Sequence, residues 1–454
     1  MLHHEPDRAP PASPGQRLLR PLADFLATEA ASGAVLVLAV VVALVWANSP
    51  WGDAYRSLWD TDLGINAAGH VLELDLRGWV SDGLMALFFV VVGLEIKREL
   101  VDGELKELRR AAMPAVGALG GMLVPALVFV AINAGGTAVH GWGVPMATDI
   151  AMALSVVGLL GARVSSGMKV FLLSLAIVDD IGAIAVIAVF YSDDTRLEFL
   201  GAGLVVVAVV LGLQRAGVHS QIVYVVLGIV LWLFLHEAGV HPTIAGVAMG
   251  LLCPARPYFP VEYRDAEDSI SALDEQPSAA VAAEETAITR GSVSVIEWLE
   301  HHLHPWTSFL VLPLFALANA GVQLSAASFT DALASKVTLG VIAGLVLGKP
   351  LGIGIAIWLA LRLKLGLLPT GATFPQMIGL ACIAGIGFTV AILVSSLAFT
   401  DPLLRDQAVV GVLIGSLVAA VLGVVVLLRA GPSPEAEVEG VPSVPEGAAP
   451  LNSL

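Results

Sequence analysis

The stretch SLAIVDDIGAIAV, residues 174–186, sets two adjacent carboxylates, Asp179 and Asp180, near the middle of an apolar run from Met168 to Tyr191. Such a run is about long enough to cross a bilayer as a helix. A charged aspartate at mid-bilayer costs roughly 2.5 to 3.5 kcal/mol on insertion scales, so a polar interior pathway is expected around these residues rather than lipid. A buried pair compounds the cost. Either one carboxyl is held protonated by its neighbour's charge or a cation neutralises the pair, and the two arrangements interconvert by proton exchange. That is the chemistry of ion-for-proton exchange. A carboxyl pair fixed by hydrogen bonds between helices is the plainer alternative.

Composition agrees with a membrane setting. Hydrophobic residues fill 57% of the 454 positions and charged ones only 14%, far from the soluble average, which predicts an all-α polytopic membrane protein. About half of the net charge of −16 comes from the carboxyl-terminal tail and one long acidic segment, and no basic run points to a nucleic-acid partner. Cys253 and Cys382 both lie in apolar stretches and form no disulfide or metal-ligand pattern. The Pro-rich start, residues 1–23, reads as a disordered tail. The first apolar run, Ala30 to Ala47, ends in VWA like a signal-peptidase site, but it is longer than a signal core. Glu29 and Asp24 also stand where a basic flank would be expected, so it reads as the first spanning helix.

Apolar stretches of spanning length number twelve, some short: about 30–47, 79–98, 111–134, 144–160, 168–191, 198–213, 221–236, 241–253, 306–324, 335–362, 374–399 and 406–429. Summed on alternate sides, 17 Lys and Arg fall with the two termini and 5 on the other face, with Lys349 on neither. Cytoplasmic loops carry the positive excess, so both termini are expected in the cytoplasm. Between the first and second helices, TDLGINAAGHVLELDL (residues 61–76) alternates apolar and polar positions around a turn, as a small external β-hairpin would, although a disordered loop fits the same residues. A hairpin there has free edges suited to pairing with a second copy.

Several polar groups interrupt the apolar pattern. The second helix ends in GLEIKREL, which places Glu95, Arg98 and Glu99 on one helical face; a solvated helix end reads the same way. The third, with Pro114 and Pro125 among many glycines, is expected to kink and pack closely. The fourth, GVPMATDIAMALSVVGLLG (143–161), is short, begins among Gly and Pro, and holds Thr148 and Asp149 in its midst. The eleventh, ACIAGIGFTVAILVSS (381–396), has Gly385 and Gly387 before Thr389. Both are candidates for broken helices, whose exposed ends bind ions and are tolerated only where they face protein or a water-filled cavity. They occupy middle positions in the triplets 3–5 and 10–12, the pattern of an inverted repeat with its site at the repeat interface. Lys349, within GLVLGKPLGIGIA in the tenth helix, lies too deep to reach water and needs an anionic partner, for which Asp179 and Asp180 are the candidates.

The segment 255–294 is acidic and rich in small residues, a flexible cytoplasmic insertion. After it, EWLEHHLHPW groups Glu297, Glu300, His301, His302 and His304 at the entrance to the ninth helix. A zinc site there matches no common spacing, whereas histidine beside carboxylate suits a group titrating near neutral pH. His241, at the start of the eighth helix, is in isolation read as a capped or solvated group.

At these residues the chain resembles the NhaA family of sodium/proton antiporters, over roughly residues 24–428. The resemblance rests on DGLMALFFVVVGLEIKREL, ATDIAMAL, LAIVDDIGAIAVIA, GVHPTIAGV, LEHHLHPW, LPLFALANAGV, GKPLGIG and GIGFTVAI, in that order. It implies a twelve-helix antiporter domain over 24–429 with helices 4 and 11 unwound and crossing at mid-membrane, flanked by disordered cytoplasmic tails at 1–23 and 430–454. It implies a multi-pass protein of the bacterial plasma membrane that exchanges cytoplasmic Na⁺ or Li⁺ for external H⁺, electrogenic and pH-activated, serving sodium and pH homeostasis. No enzyme activity and no cofactor follow from it, and the hairpin would serve a homodimer. By the same resemblance Asp179 and Asp180 are the ion-binding, proton-exchanging pair that holds the transported Na⁺. Asp149, with Thr148, supplies the charge at the helix 4 crossing, and Lys349 pairs with Asp179. Glu95, Arg98, Glu99, Glu300, His301 and His304 match a cytoplasmic pH-activation cluster, and His241 a histidine linked to pH response. The insertion, His302 and the long tails depart from the family pattern. Two other classes fit part of the residues: an intramembrane aspartyl protease, whose GxGD signature is absent, and an organic-anion symporter using Lys349 and helix amino ends.

Overall fold

The computed structural model describes residues 29–67, 70–192, 195–218, 220–255, 294–323 and 326–431. The expected tail at 1–23 and nearly all of the expected insertion at 255–294 and tail at 430–454 lie outside the described residues.

Helices form where the apolar runs predict them. Among the described residues seven are long and apolar enough to cross a membrane: Ala30–Ala47, Leu76–Val101, Arg109–Asn133, Ser166–Phe190, Leu197–Arg215, Lys336–Arg362 and Pro402–Ala430. Two bent pairs bring the number to nine if each is one span. The remaining predicted segments hold helix too, in shorter pieces: Gln221–Glu237, Ile244–Leu252, and Val295–Trp306 continuing through a π-helical turn into Leu312–Asn319. The last of these starts earlier than the 306 read from hydropathy, because Ser294 caps it by accepting from the Glu297 amide at 3.1 Å. Large apolar side chains such as Leu38, Leu127, Leu204 and Ile222 point outward. A surface of that kind suits lipid and not water.

The expected hairpin is present, with strands Asp62–Ala67 and His70–Asp75 antiparallel and Leu63 opposite Leu74. It is fastened to the next helix at two points. The Asp75 carboxylate accepts from the Gly78 amide at 2.6 Å, and the Trp79 indole donates to the Leu63 carbonyl at 2.9 Å.

Hydrophobicity cannot drive helix against helix in lipid, so close approach of small residues takes its place. A Cβ on Gly352 would lie 2.1 Å from the Gly120 carbonyl oxygen, so the Leu108–Asn133 and Lys349–Arg362 helices touch backbone to backbone there. That contact stands one turn from Lys349.

The two bent pairs are Thr137–Met146 with Ile150–Leu159, at 44°, and Phe374–Ile383 with Phe388–Ala398, at 50°. The breaks fall at Ala147–Asp149 and around Ala384–Gly387, where the sequence predicts interruption. One detail differs: the first half of the first pair is a 3-10 helix rather than an α-helix. At the second break bare glycine is required, since a Cβ on Gly385 would meet the Leu345 carbonyl oxygen at 2.5 Å. Phe388, just beyond, has φ of 20°, a conformation that L side chains rarely adopt and that surrounding contacts must hold.

Candidate functional site

The two breaks meet. The Asp149 amide donates to the Ile386 carbonyl at 2.7 Å and the Thr148 hydroxyl reaches the Ala384 carbonyl at 2.8 Å, so backbone groups freed by one interruption are satisfied by the other. The Asp149 carboxylate serves both rising half-helices. It accepts from the Met152 amide of its own half at 3.0 Å, and from the Thr389 amide at 3.0 Å and the Thr389 hydroxyl of the other. A negative charge suits that place, because a helix amino end carries partial positive charge and unpaired N–H groups.

Beside the crossing lies a buried ion pair. Lys349 Nζ donates to Asp179 Oδ2 and to Thr148 Oγ1, the latter at 2.7 Å, and Thr148 Oγ1 stands 2.6 Å from Asp179 Oδ2. Lys349, Asp179 and Thr148 have no exposed surface. Lys349 is 13 residues from each end of its 27-residue helix, about 20 Å of rise either way, beyond the reach of its stem. The remaining oxygen, Asp179 Oδ1, is buried without a partner among the described residues. Asp180, 5% exposed, lies within electrostatic range of Asp179, Asp149, Glu95 and Lys349. The three aspartate carboxyls thus share one ammonium. If all were ionised the site would hold a surplus of two negative charges, which protons or a small cation must offset in so dry a place.

A family model described as Na+/H+ antiporter 1 matches residues 23–427. The chain is 44% identical to Na(+)/H(+) antiporter NhaA of Rhodopirellula baltica over 444 residues, covering 95% of this chain and 99% of that protein. The chain belongs to the NhaA family of Na⁺/H⁺ antiporters. It is also 46% identical to Na(+)/H(+) antiporter NhaA 2 of Sorangium cellulosum over 92% of this chain and 93% of that one. Among solved structures it is similar to the sodium proton antiporter MjNhaP1 from Methanocaldococcus jannaschii, with 13% identity, 90% and 99% coverage and a TM-score of 0.48. Family membership makes this a multi-pass membrane transporter and not an enzyme, with Na⁺ and H⁺ as the transported ions.

Of the residues that the NhaA resemblance assigns to pH response, the structure brings Arg98, Glu300 and Glu95 together. Arg98 pairs with Glu300 at 2.6 Å, and Glu95 lies within electrostatic range of both Glu300 and Asp180, between the charged helix end and the buried carboxyls. Burial pushes the Glu300 carboxyl above the ordinary carboxylate range, the Arg98 guanidinium pulls it back, and Glu297 adds to the rise. Glu99 turns elsewhere: it accepts from the Ser174 hydroxyl at 2.8 Å, on the helix of the aspartate pair, and from the Glu104 amide at 3.0 Å. His301, His302 and His304 are all exposed; the His302 ring stacks on Trp298, with centroids 4.2 Å apart. Among the described residues no group of three or more His, Cys, Asp or Glu is arranged to hold a metal ion.

His241 lies at the far end of the second helix from Arg98. Its Nε2 is 3.5 Å from Asp82 Oδ1 and its Nδ1 is 2.6 Å from Thr243 Oγ1. Asp82 and Arg98 are 16 residues apart on one helical stretch, about 24 Å. Asp82, Ser174, Thr389 and Ser416 were not among the expected site residues. Asp82 had a signal, a carboxylate opening an apolar run; the three hydroxyls had none beyond their position in spanning helices.

Proposed function

We propose that this chain exchanges cytoplasmic Na⁺ or Li⁺ for external H⁺ at Asp179 and Asp180, electrogenically and with activation as pH rises. The observation that carries the reading is the buried Lys349, Asp179, Thr148 chain beside Asp180, with its surplus of carboxylates and the unpartnered Asp179 Oδ1. With the site open to the cytoplasm, Na⁺ binds carboxylate oxygens of Asp180 and Asp179, assisted by Thr148 Oγ1, and the proton held at Asp180 is released. The ion takes the place of Lys349 at Asp179, and the pair breaks. The halves on either side of the crossing then rearrange, the ion leaves outward and protons return. Asp180, and Lys349 once its pair with Asp179 breaks, each exchange a proton against one Na⁺, so more H⁺ than Na⁺ moves per cycle and the membrane potential drives transport. Asp149 keeps its charge at the crossing and sets the field the ion meets.

The same reading takes residues 24–429 as a twelve-helix domain with inverted repeats in helices 3–5 and 10–12, both termini cytoplasmic in a bacterial plasma membrane. The hairpin pairs with a second copy in a homodimer. Glu95, Arg98, Glu99 and Glu300 with His301 and His304 on the cytoplasmic side, and His241 on the other, adjust the response to pH for sodium and pH homeostasis.

The test is dissipation of an imposed pH gradient by Na⁺ and by Li⁺ in everted vesicles, across mildly acid to alkaline pH, with Asp180→Asn in parallel. The expected result is a cation response that rises with pH and vanishes in Asp180→Asn protein present in the membrane at the wild-type level. Wild-type transport by that variant refutes the site.

A further inference from the structure

The half-helix Phe388–Ala398 begins in the dry centre of the bundle with amide groups that no helical carbonyl can reach. Their partners are divided. Thr389 N–H goes to Asp149 Oδ2, at 3.0 Å, whereas Gly387 N–H and Phe388 N–H both go to Ser416 Oγ, each at 3.2 Å. Ser416 belongs to the Pro402–Ala430 helix, which contributes no charge to the crossing, and it is only 3% exposed. Its hydroxyl thus takes two of the three donors, and a neutral acceptor does so where the neighbouring acceptor on the same turn is the Asp149 carboxylate.

From this geometry we infer that Ser416 is a positioning residue for ion binding: by holding the Gly387 and Phe388 amides it leaves the Asp149 charge directed toward the aspartate pair. The inference rests on the reading of Asp149, Asp179 and Asp180 as the ion site. Without the hydroxyl, two buried amides lack an acceptor, and a buried N–H seeks one rather than remain unpaired. The Asp149 carboxylate already accepts from the next amide of that turn, Thr389, at 3.0 Å. Loading it with further donors spreads its charge over the helix end, and Asp180, which lies within its electrostatic range, then sits in a weaker negative field. Ser416 also holds Phe388 at its φ of 20°, so the turn that presents Thr389 to Asp149 depends on it.

The experiment is the Na⁺ dependence of transport in everted vesicles for the wild type, Ser416→Ala, Ser416→Thr and Asp180→Asn. Ser416→Ala is expected to raise the Na⁺ concentration for half-maximal rate about three- to tenfold, the worth of roughly one hydrogen bond, with a maximal rate close to wild type. Ser416→Thr, which keeps the hydroxyl, is expected to restore the wild-type value. An unchanged half-maximal concentration, or a loss confined to maximal rate and protein level, overturns the proposal; Asp180→Asn inactivity in the same series shows that the site reading stands. Transport by Asp180→Asn removes the site and the proposal with it. Should the alanine protein not reach the membrane, Ser416→Cys, similar in size and a poor acceptor, decides by the same criteria.

Discussion

Replacing Lys349 with methionine keeps most of the stem volume and removes the charge. Asp179 then retains only Thr148 as a hydrogen-bonding partner among the described residues, in a place with no exposed surface. Breaking a buried pair by deleting one member costs about 3–5 kcal/mol, because the other charge is left uncompensated. Set against a total folding stability of roughly 5–15 kcal/mol, that is a large share. Neutralising the second partner as well should return most of it, since exchanging a whole buried ion pair for neutral groups of similar size is often near neutral. The expected order of stability is therefore wild type, then Lys349→Met with Asp179→Asn, then Lys349→Met alone. Thermal unfolding in detergent measures it, read by the reaction of a thiol probe with Cys253 and Cys382, both buried in the folded chain. Single and double variants of equal stability, or a Lys349→Met protein as stable as the wild type, would refute the account of the pair as mutually dependent buried charges.

The remaining expectations concern one neighbour of that pair and one distant group. Thr148→Val removes the hydroxyl shared by Lys349, Asp179 and the Ala384 carbonyl, and should weaken apparent Na⁺ affinity by about tenfold or more, because hydrogen bonds to charged groups are the stronger kind; an unchanged Na⁺ dependence of transport refutes its role. Glu300, raised by burial, contributes stability that is complete below its unfolded pKa and is lost as pH rises through the higher folded value. Glu300→Gln stays neutral throughout, so the unfolding midpoint of the variant relative to the wild type should climb across that window. A difference constant with pH refutes the assignment.

Legibility in the sequence follows the cost of each group in an apolar run. Asp179, Asp180, Asp149 and Lys349 stand out because a charge at mid-membrane is expensive and must have a partner; that requirement narrows the partner of Lys349 to Asp179 or Asp180, and the structure pairs it with Asp179. The breaks are visible through Pro145, Gly385 and Gly387, and the hairpin through its alternation. Ser416 and Thr389 are different. A hydroxyl in a spanning helix is inexpensive because it can return its hydrogen bond to its own helix, as Ser155 does to Ala151 at 2.7 Å and Ser395 to Ile392 at 2.7 Å. Ser416 has the same sequence appearance and instead receives two amides from a chain segment 28 and 29 residues away. The histidine run is a different case: the His301 and His302 ring centroids lie 5.5 Å apart and His302 stacks on Trp298, contacts that the helical spacing permits but does not dictate. His241 finds its carboxylate 159 residues earlier, at Asp82, through packing that no local pattern encodes. The charges of this site are thus dictated by the solvent around the helices, while the neutral groups that aim those charges are chosen by the crossing of two broken helices. The second set becomes visible only when each backbone amide at the crossing is followed to its acceptor.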